Sequence, residues 1–252
     1  MEQPVFSFIT ITYNAVQWLE PTILSILNQS YPHIEYILID GGSADGTTHI
    51  IQRYSSRIAY WISEPDKGLY DAMNKGLKRA TGDYVWFMNA GDTLSGPDCL
   101  QNVVASLEKG KALPDIMYGE TLIVDENGLS LGLRRLKAPE ILSWKSFKRG
   151  MLVCHQSFVV KRELAPPYDL QYRYSADFDW CIRCMKKAAN LYNTHQVLSH
   201  FLAGGTSTVQ RKASLKERYR IMCKYYGKIS TSIWHIWFAF RFYFSKISGK
   251  NV

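Results

Sequence analysis

Across roughly the first 110 residues, runs that are apolar from end to end alternate with segments of helical periodicity. Residues 36–39, 58–62 and 84–88 make the apolar runs, and residues 5–13 a strand rich in β-branched and aromatic residues. A strand with one wet face alternates apolar and polar residues, whereas a short run apolar throughout is a strand covered on both sides. Such strands alternating with helices leave one main solution, a mostly parallel sheet flanked by helices. Between the runs, Trp18, Leu19, Ile23, Ile26 and Leu27 share a helical face, with Asn14 as the expected N-cap. A second helix is expected from about Gly46 to Tyr54. The stretch GLYDAMNKGLKRA gathers Ala72, Met73, Gly76, Leu77 and Ala80 on one side of a third.

After residue 110 the pattern changes. Residues 116–124 and 129–136 flank Asp125-Glu126-Asn127-Gly128, a hairpin signature. Residues 155–160 read as a strand, 176–188 as a helix, and 198–202 as a run leading into Gly204-Gly205. No repeat or low-complexity linker interrupts the chain. The expectation is an α/β domain over 1–208, whose first half (1–110) is nucleotide-fold-like and whose second half (111–208) completes the sheet. A basic helical tail over 209–252 would follow.

Hydrophobic content of 46% and aromatic content of 13% suit a packed core. The five cysteines (Cys99, Cys154, Cys181, Cys184, Cys223) are odd in number and irregularly spaced. This argues against a disulfide framework and for a reducing compartment. Cys181 and Cys184 have half of a zinc-site spacing, but no second pair follows them. No charged-then-apolar leader precedes the first strand, so a cytoplasmic location is expected. The net charge of +8 is unevenly placed. From Thr208 onward ten Lys/Arg face a single acid, Glu217, so the basic character belongs to the tail.

In open α/β sheets ligands bind beyond the carboxyl ends of the strands. Asp40, Asp66 and Asp92 stand at strand ends here. In DGGSADGT, Gly41 and Gly42 permit close backbone approach and Asp40 can accept hydrogen bonds from a base or ribose. The alternative is a glycine-rich turn with Asp45 capping the next helix. Neither a G-x-G-x-x-G fingerprint nor a phosphate-cradling G-K-[ST] loop is present. Asp92, closing Asn89-Ala90-Gly91-Asp92, is either a metal ligand without a partner carboxylate or a polar turn residue. Asp177 and Asp179 sit at a helix start and point in different directions, so only one can readily serve as a base. The alternative is that both favour the positive helix end.

These segments carry a resemblance. DGGSADGT (40–47), EPDKGLYDAMNKGLKRATGDYVWFMNAGD (64–92), HQSF (155–158), ADFD (176–179) and GGTST (204–208) resemble inverting family 2 glycosyltransferases of the GT-A fold. The similarity is greatest to the bacterial colanic-acid and capsule type. It implies that Asp40 recognises the nucleotide base in a pocket lined by Thr12, Tyr13 and Asn14. It places Asp66, Lys67 and Gly68 near base and ribose, and Tyr70, Asp71 and Asn74 facing the nucleotide sugar. Asn89, Ala90, Gly91 and Asp92 occupy the position of the family's Asp-x-Asp-Asp metal cluster, of which only Asp92 survives as a carboxylate. Asp177 matches the general base, with Ala176 where many relatives have Glu. His155, Gln156 and Asp179 are implied as contacts to acceptor or donor sugar, the alternative for His155 being a satisfied structural histidine. His200 lies near where some relatives place a metal-ligating histidine, and the 204–207 segment matches a loop that closes over diphosphate.

The chemistry is consistent with those roles. A departing nucleoside diphosphate gathers negative charge that Mg²⁺ or Mn²⁺ neutralises. Such hard cations take oxygen ligands, often only one or two carboxylates plus phosphates and water. One Asp therefore suffices for a metal arriving with the donor. The implied partners are a UDP- or GDP-sugar and a glycan acceptor, of polyprenyl-diphosphate-linked type. The tail, SIWHIWFAFRFYFSKISGK over 232–250 with a basic helix before it, suits the anionic inner face of a plasma membrane. The alternative is packing on its own domain or on a second copy of the chain in a homodimer.

Two other readings compete. A nucleotidyltransferase needs a basic loop near the N-terminus, and residues 5–20 contain no Lys or Arg. A nucleic-acid-binding protein would use the basic tail but leaves the three strand-end carboxylates without a purpose, so no nucleic acid partner is expected.

Overall fold

The computed structural model describes residues 3–107, 112–204 and 211–247; side chains of Arg211 and of residues 241–247 are not described. The first half runs β1 (Phe6–Thr12), α1 (Leu19–Leu27), β2 (Ile34–Asp40), α2 (Thr47–Tyr54), β3 (Tyr60–Ser63), α3 (Leu69–Arg79) and β4 (Tyr84–Phe87). β5 (Thr93–Leu94), α4 (Cys99–Ser106), β6 (Ile116–Val124), β7 (Ser130–Leu133) and β8 (Phe158–Lys161) follow. The described chain ends with α5 (Ala176–Lys187), β9 (Leu191–Leu202), α6 (Arg211–Tyr226) and α7 (Lys228–Ile247).

Strands lie side by side as β3-β2-β1-β4-β8-β6-β9-β5, with β7 on β6. The first four are parallel throughout, whereas β8 joins β4 antiparallel and opens a mixed second half. Period-two alternation explains why the parallel strands are apolar on both faces. Ile9, Ile11, Ile37, Ile39, Val85 and Phe87 enter one core; Phe6, Phe8, Tyr36, Leu38, Tyr84 and Trp86 enter the other.

Two local expectations change. Asn14 is not the cap of α1, which starts at Leu19; its φ of 46° is left-handed. Asn tolerates that conformation because its short amide bonds locally. Its Oδ1 accepts the Ala44 N–H at 3.0 Å, and its own N–H donates to Ser43 Oγ at 2.8 Å, tying the β1 and β2 exits together. Residues 155–157 form one 3-10 turn, with the strand confined to Phe158–Lys161. That turn is held by Trp86 Nε1 donating to the Gln156 carbonyl at 2.8 Å.

Much of the basic tail is integral to the domain. Ile221 and Met222 of α6 are buried in the core cluster beside α5. Glu217 accepts the main-chain N–H groups of Arg173, Tyr174 and Ser175 at 2.9, 2.7 and 3.0 Å, fixing the entry to α5. Helix α7 then doubles back after Gly227, whose φ of +79° turns the chain.

Helix α3 reaches the sheet through Gly76. A Cβ there would stand 2.4 Å from Ile9 Cγ2, and Ile9 is fully buried in β1. Gly76→Val should therefore destabilise the domain by about 1–3 kcal/mol through overpacking. At about 2–4 °C per kcal/mol for a chain of this size, a melting curve will register it.

Candidate active site

The carboxyl ends of β1 to β4 deliver Thr12, Asp40, Ser63 and the residues after Phe87 to one edge of the sheet. Asp40 is fully buried. Its Oδ2 accepts the Gly42 and Ser43 N–H groups at 3.2 and 2.9 Å and the Ser63 hydroxyl at 2.6 Å, while Oδ1 takes Ser43 Oγ. The carboxylate is thus already spent on shaping the 41–43 turn. The rim around that turn is built by the Tyr13 ring, Gly41 and Asp66. A Cβ on Gly41 would lie 2.5 Å from Asp66 Oδ2 and 3.3 Å from Tyr13 Cδ2. Asp66 Oδ1 accepts the Gly68 N–H at 2.7 Å and Asp71 Oδ2 that of Lys67 at 3.0 Å, which fixes the loop into α3.

Two oxygens at this edge are buried with no hydrogen-bond partner among the described residues, Thr12 Oγ1 and Asn89 Oδ1. Buried polar atoms are nearly always paired, so two orphans at the ends of the neighbouring strands β1 and β4 mark where a polar ligand belongs. Asp92 stands beside them, nearly buried. Its Oδ2 accepts Gln156 Nε2 at 2.6 Å and its Oδ1 the Leu202 N–H at 3.1 Å. Burial pushes its carboxyl up to about 7, against the opposing pull of those two donors. Its turn is anchored on α1 by Thr22, whose hydroxyl donates to the Asp92 carbonyl at 2.7 Å and accepts the Gly91 N–H at 3.0 Å. Among the described residues no group of three His, Cys, Asp or Glu is placed to hold a metal. The oxygen donors here that suit a hard cation are the Asp92 carboxylate and the orphaned Asn89 amide oxygen.

Across from this edge, α5 presents Asp177 half-buried and Asp179 fully buried. Asp177 Oδ1 accepts the Tyr70 hydroxyl at 3.1 Å and the Phe178 N–H at 2.9 Å. Asp179 is occupied by Arg183 Nε at 2.6 Å, Tyr225 OH at 2.8 Å and Lys224 Nζ at 3.2 Å, so its carboxylate joins α5 to α6 instead of facing the cleft. Tyr70 and Asn74 also turn toward α5. Tyr70 stacks on Tyr168 with centroids 5.5 Å apart, and the Asn74 amide bonds both the N–H and the carbonyl of Tyr168, at 2.6 and 3.0 Å. His155 is buried beneath them with Nε2 2.6 Å from the Tyr168 hydroxyl. Gln156 instead reaches the site, as the donor that orients Asp92. His200 pairs with Thr93 between β9 and β5. Of the 204–207 segment, all but Gly204 lies outside the described residues.

The structure thus gathers Thr12, Tyr13, Asn14, Asp40, Gly41, Gly42, Asp66, Lys67, Gly68 and residues 89–92 at one edge, with Tyr70 and Asp177 on the far side. Sequence reasoning passed over Ser43, Ser63 and Glu217. Glu217 had a signal, as the single acid in a basic tail.

The family model "Glycosyl transferase family 2" matches residues 7–165. The chain is 36% identical over 185 residues to the uncharacterized glycosyltransferase Rv1514c of Mycobacterium tuberculosis, covering 71% of this chain and 68% of that one. It is 33% identical over 229 residues to the PGL/p-HBAD biosynthesis glycosyltransferase Rv2957 of the same organism, covering 86% and 84%. Among solved structures, S. aureus TarS 1-349 in complex with UDP superposes with a TM-score of 0.66 at 17% identity, covering 86% of this chain and 63% of that one. Mannosyltransferase PcManGT from Pyrobaculum calidifontis, in complex with GDP-Man and Mn²⁺, gives 0.65 at 17% identity, covering 89% and 64%. The fold is that of the GT-A glycosyltransferases.

Burial lowers the His155 imidazole from 6.5 to about 4. In that interval the unfolded chain binds a proton that the folded chain does not, so stability rises with pH. As pH falls from about 6.5 to about 4, this group should remove up to about 1.4 kcal/mol per pH unit. Denaturant unfolding across that range should show a shallower acid slope for His155→Gln than for the parent chain.

Proposed function

The chain belongs to glycosyl transferase family 2, and on that premise we propose that it moves a sugar from a UDP- or GDP-sugar, with inversion, onto a bacterial surface-glycan acceptor linked to polyprenyl diphosphate. The observation that carries this reading is the pair of oxygens, Thr12 Oγ1 and Asn89 Oδ1, left without a described partner at adjacent strand ends, in a domain that also leaves Asp177 half-exposed and bonded to Tyr70 of α3. Tyr13, Gly41 and Asp66 offer a rim for base and ribose, on a turn whose shape Asp40 maintains. Asp92 and Asn89 would hold a divalent cation, Mg²⁺ or Mn²⁺, which when bound neutralises charge on the departing diphosphate. Two oxygens fit such an ion when the diphosphate completes its shell. The GDP-Man and Mn²⁺ bound to the similar PcManGT support this.

Asp177 takes the proton of the acceptor hydroxyl as that oxygen attacks the anomeric carbon from the face opposite the diphosphate. The Tyr70 hydroxyl and the Phe178 N–H, both bonded to Oδ1, hold the carboxylate in orientation. That leaves Oδ2 for the incoming proton. Asp177→Asn keeps the shape and loses the basicity. It should reduce transfer by at least about 100-fold while nucleotide affinity changes by less than about threefold. Transfer at the parental rate would remove Asp177 from this role.

Attachment to the inner face of the membrane is supported by α7. Among the described residues no helix is long and apolar enough to cross a membrane. Ile229, Ile233, Ile236, Trp237 and Phe240 recur at helical spacing and are all exposed, Ile229 at 81% and Trp237 at 54%. Arg149 borders the hollow lined by Ile233, Trp234 and Trp237, and Lys228 begins the helix. An apolar stripe rimmed by cations matches an anionic bilayer. The double variant Ile233→Ser/Trp237→Ser should lose co-sedimentation with phosphatidylglycerol vesicles and keep its melting temperature. If the parent chain ignores vesicles and sediments as a dimer that this variant breaks, the stripe is a subunit interface instead.

A further inference from the structure

Two arginines beside Asp177 have no ion-pair partner among the described residues. Arg134 follows β7 and Arg218 lies midway along α6, so the fold brings them together from distant elements. The Arg218 guanidinium carbon sits 5.8 Å from the centre of the Phe178 ring, the residue after Asp177. Arg218 is close enough to Tyr70 and to Arg134 to act on both electrostatically, and Asp177 acts on Arg134 in the same way.

Neither arginine is ion-paired within the described residues. Among the described residues no carboxylate forms an ion pair with either, and Arg218 donates no hydrogen bond; its Nε is buried without a partner. Arg134 uses one nitrogen, Nη1, on the Met151 carbonyl at 2.7 Å, with longer approaches of 3.4 Å to the Leu136 and Leu152 carbonyls. That anchors the side chain and leaves Nε and Nη2 unspent. The nearby acids are committed elsewhere. Asp177 is held by Tyr70 and Phe178, and Glu217 caps the entry to α5. Elsewhere the chain pairs its enclosed cations, Arg183 with Asp179 and Lys161 with Asp115. Holding two guanidinium groups near the one Asp177 carboxylate leaves an excess of positive charge, which is unfavourable in a partly desolvated site. Burial also lowers the Arg134 guanidinium from its ordinary range.

We propose that Arg134 and Arg218 form a binding site for an oxyanion carried by the acceptor, a phosphate or carboxylate set close to the hydroxyl that Asp177 deprotonates. The planar donor fork of arginine matches the paired oxygens of either group. The side of the cleft decides between donor and acceptor. Both arginines come from the second half of the chain and cluster about Asp177, whereas the orphaned oxygens and Asp92 lie at the β1–β4 edge. The proposal rests on the reading of Asp177 as the base that faces the acceptor. It adds that this acceptor is anionic near its reactive end, through the diphosphate of a lipid carrier or an acidic sugar.

The test is direct binding to the full chain held in saturating UDP and Mg²⁺, so that the donor's own anion site is filled. Inorganic pyrophosphate, glucuronate and uncharged glucose are titrated and followed by tryptophan fluorescence. Pyrophosphate or glucuronate should bind and glucose should not, and whichever binds more tightly distinguishes a carrier diphosphate from an acidic sugar. Arg134→Gln and Arg218→Gln should each weaken that binding by about tenfold or more. Arg134→Lys and Arg218→Lys preserve charge and should weaken it less. Lys186→Gln, on the far end of α5, should leave it unchanged. Anion binding that survives in the Arg134→Gln/Arg218→Gln double variant at parental melting temperature would overturn the proposal. So would UDP affinity that falls in the arginine variants, or the absence of any anion binding once UDP is bound. Because the readout is binding and not turnover, its outcome is separate from that of the Asp177→Asn transfer assay.

Discussion

Parallel pairing of β3, β2, β1 and β4 forces every one of those strands to end at the same edge of the sheet. Each must be re-entered from the opposite end through a helix, so turns distant in sequence meet without any contact specifying it. Thr12, Asp40, Ser63 and Asn89 are neighbours for that reason. The strands can be parallel because they are apolar on both faces, and both faces are covered. The chemistry of the edge therefore follows from the pattern of Ile, Phe, Val and Trp behind it.

The second half solves a different problem, aiming one carboxylate across the cleft. Asp177 and Asp179 are two residues apart on α5, and that spacing, about half a helical turn, separates a half-exposed acid from a buried one. Asp179 draws Arg183, Lys224 and Tyr225 into a joint between α5 and α6. Breaking such a buried pair by removing one partner is strongly destabilising. Glu217 fixes the main chain just before α5, and Tyr70 bonds Asp177 from α3. Asp177 is thus oriented by both halves of the domain.

The first of these arrangements was legible in the sequence and the second much less so. Apolar runs, helix periodicity and the turn residues Gly41, Gly42 and Gly91 are local signals, and they located the sheet edge and its acids. The motif over 64–92 sharpened them into a family. What escaped depends on contacts between residues far apart in the chain. Asn14 looked like a helix cap because Asn usually is one in that position; the exit of β2, thirty residues on, makes it a left-handed turn instead. Asp40 read as an acceptor for a base or ribose, and the sequence did not show that Ser43 and Ser63 also donate to its oxygens. The basic tail read as one unit, although α6 carries the buried Ile221 and Met222 that pack it on α5, while α7 keeps its apolar stripe outward. Arg134 and Arg218 are unremarkable in a basic chain until folding sets them beside Asp177 with no ion pair among the described residues.

The central claim is that the turns after β1, β2 and β4, together with the 66–68 loop, form one site for a nucleoside diphosphate that brings its metal with it. Amide hydrogen exchange of the full chain reports on this most directly. Adding UDP or GDP together with Mn²⁺ should slow exchange at residues 12–14, 40–43, 66–68 and 89–92 together, and Mn²⁺ alone should slow it little. Protection confined to α6 and α7, or full protection of residues 89–92 by Mn²⁺ without nucleotide, would contradict it.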